Sequence, residues 1–182
     1  MAGPPEPLRL VADAALAAAT LQLRAATLAD AAAVADVYLR SRKELVACAP
    51  LAHSDDDVRE WIRTQLIPAG RTAIAVVQGQ VVGLLAISTG ADAGWIENLY
   101  VLPTWVGRGI GTRLLALARQ RLPAPIRLYT FQENHRARRF YESRGFRASA
   151  FGDGSGNEEK CPDVLYEWRL GAEAGSLPEG NA

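Results

Sequence analysis

Cysteine, histidine and methionine are nearly missing from this chain: its 182 residues hold two Cys, two His and one Met. Cys48 and Cys161 form neither a metal-ligand spacing nor a disulfide framework. They fit a reducing compartment, so a cytoplasmic protein without a metal is expected. An excess of one charge is also missing, since Lys plus Arg and Asp plus Glu each number 20. A neutral chain has no overall field to gather nucleic acid or an anionic membrane, which makes both poor candidates for a partner. No apolar run is long enough to cross a bilayer. The start carries Pro4, Pro5 and Pro7 and lacks the basic-then-apolar order of a secretion signal. Aromatic residues make up only 7%. Trp95, Trp105, Phe131, Phe151 and Trp168 read as core and pocket wall rather than as a base-stacking surface.

What remains is an ordinary globular composition, 49% apolar and 22% charged, on a chain sized for one good core. Residues 1–20 read as a Pro- and Ala-rich extension. Residues 171–182, rich in Gly, Ser, Pro and Glu, read as a disordered tail. One domain is expected over 21–170, without internal repeats. Leu21 to Arg24 alternates like a first strand. Thr27 or Asp30 caps a helix carrying Val34, Val37, Tyr38 and Leu45. A second helix starts at Ser54 with Asp55, Asp56 and Asp57 in its first turn, where carboxylates complement the helix dipole. That account explains the acidic run without a metal. Strands are expected over 72–77 and 81–87, joined through Gln78-Gly79-Gln80 as a hairpin, and over 95–102. The last places Trp95, Glu97, Leu99 and Val101 on one face and Ile96, Asn98 and Tyr100 on the other. A helix from Ile110 to Pro123, a strand over 126–131, a helix from Asn134 to Ser143 and strands over 146–151 and 164–170 follow. The order predicts an α+β fold on a mixed sheet that is partly antiparallel.

Two motifs carry chemistry. The first is Glu97-Asn98-Leu99-Tyr100-Val101 running through Leu102-Pro103-Thr104-Trp105 into Val106-Gly107-Arg108-Gly109-Ile110-Gly111-Thr112. A strand enters a turn with three alternating glycines that opens into a helix. Glycines permit a sharp turn and close approach of a ligand. The first helical amides have no internal partner and carry partial positive charge, an arrangement suited to phosphate or pyrophosphate. The turn fits neither the nucleotide-triphosphate loop, which needs Gly-Lys-Ser/Thr, nor the dinucleotide fingerprint with its distant acidic residue. The second motif runs from Phe131 to Phe146, with Asn134 as N-cap, Gly145 as the residue past the C-cap, and Ala137, Phe140 and Tyr141 at helical spacing. Arg136, Arg138, Arg139, Arg144 and Arg147 form the densest basic cluster, either a solvated helix face or a contact to phosphates.

In this order and separation the two motifs resemble the GNAT acetyltransferase superfamily, which moves an acetyl group from acetyl-CoA to an amine. The resemblance covers most of 21–170, and its glycine motif falls on Val106 to Gly111, with Val106 where Arg or Gln is usual. It implies an α+β fold of three layers, α/β/α, with a central mixed, mostly antiparallel sheet splayed between two parallel strands. It further implies that the amides of Gly107, Arg108, Gly109, Ile110, Gly111 and Thr112 hold the CoA pyrophosphate. The edge at Leu99, Tyr100 and Val101 would pair with the pantetheine arm, with Asn134, Ala137 and Phe140 beside it. Tyr141 resembles the general acid of the family. A Tyr hydroxyl near ~10 is close enough to a thiol near ~8.5 to protonate the leaving thiolate. A backbone N–H at the strand edge can stabilise the developing oxyanion. The amine must lose a proton before attack, and Glu97 is the first candidate base, His53 the second. Asp153, Glu158 and Glu159 in the loop before the last strand either attract the amine or form a solvated turn. Cys48 and Cys161 lack a paired His by sequence, so direct attack on acetyl-CoA by a small amine, an amino acid or a peptide end is expected. A homodimer is expected from the family. The rival is a non-catalytic acyl-CoA-binding sensor on the same fold; a nucleic-acid module using the arginines ranks last.

Overall fold

The computed structural model describes residues 20–170. The expected tail over 171–182 and all of the expected extension except Thr20 lie outside the described residues. Strand β1 (Gln22–Ala25) leads to a short 3-10 turn, Leu28–Asp30, and helix α1 (Ala31–Leu45). The turn is tied by Asp30, whose Oδ2 accepts from both the amide and the hydroxyl of Thr27. Arg24 donates to both carboxylate oxygens of Asp30 at 2.8 Å. Helix α2 (Asp55–Trp61) opens on a capping box: Ser54 accepts from the Asp57 amide, and the Ser54 hydroxyl donates back to Asp57 at 2.6 Å. Those bonds lower the Asp57 pKa, so the acidic run is a helix start, as the sequence implied. The helix then widens into a π turn over Ile62–Leu66, which no sequence signal marked.

Strand β2 (Thr72–Val77) is buried throughout. It turns through Gln78 and Gly79, both at positive φ, into β3 (Gln80–Thr89), the hairpin geometry in which such turns match strand twist. Next come β4 (Gly94–Val101), the 3-10 turn Pro103–Trp105, and helix α3 (Ile110–Arg121). After β5 (Ile126–Phe131), helix α4 (His135–Glu142), β6 (Arg147–Gly152) and β7 (Asp163–Trp168) complete the sheet, whose order is β1-β2-β3-β4-β5-β7-β6. All neighbouring pairs are antiparallel except β4 with β5. This is the mixed α+β architecture expected.

One expectation fails locally. Ala86 pairs with Asn98 and Ile87 with Ile96, leaving Glu97 as an extra residue in β4. This bulge reverses the alternation downstream, because facing side chains in a ladder share a face. Leu99 and Val101 join Ile96 on the α3 side, where a Cβ on Gly83, opposite Val101, would meet Leu114 and Ile110. Tyr100 turns to the α1 side and meets the Tyr38 ring at 5.1 Å. Glu97 and Leu99 therefore do not share a face. An alternation rule has no means of seeing an inserted residue.

The parallel pair makes only two rungs, Gly94 with Ile126 and Trp95 with Arg127. Close approach at the first rung requires glycine, since a Cβ on Gly94 would lie 2.6 Å from that of Leu122. Beyond Trp95 the strands diverge, and the edge of β4 from Ile96 onward faces a cleft. Ile74, Leu84, Leu114 and Leu128, each at most 1% exposed, lie in the core beside and beneath that cleft.

Candidate functional site

The glycine turn is held open at the mouth of α3. Gly107 and Gly109 take φ of 84° and 78°, a region that side chains avoid. A Cβ at either position would meet nothing within 4 Å. Arg113 is the first residue whose amide bonds back into the turn, to the Gly109 carbonyl at 3.1 Å. The amides of Gly107 through Thr112 donate to no acceptor among the described residues. Six unpaired N–H groups at the positive end of a helix dipole make an anion cradle, and the open space beside the glycines is where an anion fits. Arg144 stands at the rim, 4.0 Å above the Phe140 ring, and donates to the Thr112 hydroxyl at 2.7 Å. Of the basic cluster, Arg144 and Arg136 line this cleft. Arg138 is spent inside the fold, donating to the Gln132 carbonyl and the Tyr166 hydroxyl, and Arg147 is exposed on β6.

From the cradle a cleft of about 380 Å³ follows the free edge of β4. A second cavity of about 680 Å³ opens on the other side of the splay. Leu99, Tyr100, Asn134, Ala137 and Tyr141 line both. Asn134 caps α4, its Oδ1 accepting from the Ala137 amide at 3.1 Å. The cap leaves Asn134 on the wall of both cavities. Gly145, at φ 80°, ends α4 with Phe146 bonded back to the Tyr141 carbonyl. That termination fixes the last turn, and Tyr141 with it. Tyr141 is 7% exposed, packed edge-on between the Phe140 and Phe146 rings. Burial, and then the neighbouring Tyr100, push its pKa above the ordinary phenol value.

The two candidate bases separate. Glu97, on the bulge, lines the larger cavity, and its carboxylate accepts from the Ser88 hydroxyl. His53 lines a third cavity with Tyr38 and Trp61 and pairs with Glu158 at 3.0 Å. Asp153 and Glu159 line the larger cavity, and Glu158 lines the third. Phe131 and Phe151 form part of the larger wall, and Trp105 part of the smaller cleft.

Sequence reasoning missed Arg42. It lines the larger cavity at 5% exposure and pairs with Glu159 at 2.6 Å. The signal was present: Arg42 follows Tyr38 by one helical turn on the face that also carries Val34 and Val37. A charge on an apolar stripe of a helix marks a buried polar site. Burial lowers the Arg42 pKa, but Tyr100, Tyr38 and Glu159 outweigh that and leave it raised. Among the described residues no group of three or more His, Cys, Asp or Glu is placed to hold a metal ion. No described helix is long and apolar enough to cross a membrane.

Residues 38–146, more than half of the chain, match the model of the acetyltransferase (GNAT) family. The chain belongs to the GNAT family. An uncharacterised N-acetyltransferase of Archaeoglobus fulgidus is 38% identical over 98 residues, 47% of this chain and 65% of that protein. This GNAT chain thus matches just under two thirds of that relative's length. Among solved structures, the PaiA N-acetyltransferase of Thermoplasma acidophilum in complex with coenzyme A superposes with TM-score 0.63 at 20% identity, covering 82% of this chain and 99% of that one. The apo form of YjaB from Escherichia coli superposes with TM-score 0.66 at 17% identity, covering 82% and 97%. At such identities the GNAT fold is what is shared.

Proposed function

We propose that this protein transfers the acetyl group of acetyl-CoA directly to a primary amine of a small molecule, an amino acid or a peptide. The observation that carries the reading is the meeting of two cavities in the splay between β4 and β5, at Tyr141 and Asn134. In it, the amides of Gly107 to Thr112 hold the pyrophosphate. Val106 has no side-chain donor to add, so main-chain groups and Arg144 carry that end. The edge at Leu99, Tyr100 and Val101, where among the described residues only the Val101 carbonyl is engaged, by the Ser41 hydroxyl at 2.9 Å, receives the pantetheine amides, with Ala137 and Phe140 as the opposite wall. A β4 amide stabilises the charge that develops on the thioester oxygen. The acceptor enters through the larger cavity, and Glu97, directly or through water, takes the proton from its ammonium. Tyr141, kept neutral by burial, gives its proton to the departing sulfur. The cation of the Arg144 rim and the open cradle fit a diphosphate better than a neutral ligand.

The test is release of free CoA thiol across a panel of amines, with Tyr141→Phe beside the wild type. Loss of an acid of this kind costs about 10²–10⁴-fold in rate. The variant is expected to fall in that range while its acetyl-CoA affinity stays within a few fold. Tight acetyl-CoA binding with no turnover of any amine by the wild type would overturn the catalytic reading in favour of a sensor.

A further inference from the structure

We infer that the acceptor carries a carboxylate beside its amine, as a free amino acid does, and that Arg42 receives it. The inference rests on the acetyltransferase reading above and narrows it to a substrate class. Arg42 is the one charged residue buried among the described residues. Burying a guanidinium is costly unless its donors are matched. Nη2 of Arg42 donates to Glu159 at 2.6 Å and to the Ala49 carbonyl at 3.1 Å, and the Tyr100 hydroxyl lies against the guanidinium. Its Nε is buried with no partner. A guanidinium presents five donors in a planar fork that matches both oxygens of a carboxylate. Glu159 offers one oxygen to one nitrogen and leaves Nε unpartnered, so the fork is not matched by a carboxylate on both sides.

The location agrees. Arg42 lies on the wall of the larger cavity, 5.2 Å over the Phe131 ring, and Tyr100 and Tyr141 line the same cavity. A carboxylate seated on Arg42 puts the rest of an amino acid inside the space that leads to Tyr141. Glu159 belongs to the loop between β6 and β7. Its carboxylate makes no hydrogen bond among the described residues other than the one from Arg42. Exchanging it for a substrate carboxylate keeps Arg42 paired, so no unpaired charge is buried on the way. Glu159 thus stands where the substrate's carboxylate would go.

The experiment measures CoA release with the standard amino acids, their carboxamides and the corresponding decarboxylated amines. A charge-assisted pair of this kind is worth about tenfold or more in affinity. The acid form is expected to exceed its amide at least about tenfold in kcat/KM, and Arg42→Gln to bring that ratio near unity. Glu159→Gln, which keeps Arg42 in place, is expected to lower KM for the acids while leaving KM for acetyl-CoA unchanged. That second variant decides the matter should Arg42→Gln fail to fold. Amides turned over as well as acids, an Arg42→Gln loss equal on both, or a Glu159→Gln variant with unchanged KM would each overturn the inference and leave the acetyltransferase reading intact. Absence of turnover with every acceptor would take down both.

Discussion

Gly111 and Phe140 close the smaller cleft against each other: a Cβ on Gly111 would lie 3.3 Å from the Phe140 ring. One residue comes from the glycine turn and the other from the second motif, so this contact sets the spacing between cradle and opposite wall. Arg144 covers the same ring, which ties the rim to the packing beneath it. In the proposed site, ligand binding and helix packing are therefore entangled at Gly111.

They come apart at Gly109, which has a φ of 78° and open space where a Cβ would be. Gly70 is its match outside the site, with φ 72° and equally open space. An alanine in the left-handed region costs about 1–2 kcal/mol. Gly109→Ala and Gly70→Ala are thus expected to lower the urea midpoint by similar amounts. Only Gly109→Ala is expected to weaken CoA binding, by about tenfold or more, since its methyl enters the open space where the proposed diphosphate sits. Calorimetry on both variants checks this. Equal CoA affinities would remove the cradle from the binding site.

Most of the fold could be read in advance because its signals are local. Ser54 three residues before Asp57, Asn134 before an apolar-faced turn, Gly145 after it and Gln78-Gly79 between apolar runs each specify an element end by short-range hydrogen bonding. Strands β2 and β5 run over the residues expected, 72–77 and 126–131. The bulge at Glu97 was invisible because it arises from a mismatch between β3 and β4, which neither segment encodes alone. Arg42 and Glu159 escaped for a related reason: the pair joins α1 to a loop 117 positions away. A long-range ion pair leaves no periodic trace, only an odd charge on an apolar stripe.

The pH dependence follows from the tyrosines. Burial raises Tyr141, and it raises Tyr38 and Tyr100 as well, the last against the pull of Arg42. A group bound to its proton more tightly when folded contributes stability below its unfolded value, about 10 for Tyr. That contribution is lost as pH rises through the folded value. The urea midpoint is expected to hold steady from pH 8 to about 10 and to fall above it. Over the same window kcat/KM should rise or hold as the acceptor amine loses its proton, with no alkaline limb from Tyr141. A decline in kcat/KM beginning near pH 8 would exclude Tyr141 as the acid.

Glu97 and His53 compete for the role of base, and the cavities they line favour Glu97. Glu97→Gln keeps the bond from the Ser88 hydroxyl and the bulge while removing basicity. It is expected to lower kcat by about 10²-fold, with the loss shrinking as the pH approaches the pKa of the acceptor amine. His53→Gln is expected to cost far less, because His53 faces Glu158 and Trp61 in a separate cavity. Steady-state kinetics across pH on both variants gives the answer. A larger loss for His53→Gln would reverse the assignment.

Asp30 governs how β1 is joined to α1. The Arg24 guanidinium holds its carboxyl well below the usual carboxylate range, against the opposing effect of burial, with the Thr27 amide and hydroxyl adding to the lowering. Arg24 is 45% exposed, so the pair counts as a surface one, worth at most about 1 kcal/mol. The capping bonds to Thr27 add about 1 kcal/mol. Asp30→Asn is therefore expected to cost about 1–2 kcal/mol at pH 7, read as a shift of the urea midpoint at constant slope. A depressed folded pKa stabilises above the unfolded value, near 3.9, and the benefit fades as pH falls through the folded value. The gap between wild type and variant should thus be as wide at pH 5 as at pH 7 and narrow below about 4. A gap that closed by pH 5 would mean that Asp30 is not held in its charged form by Arg24 and Thr27.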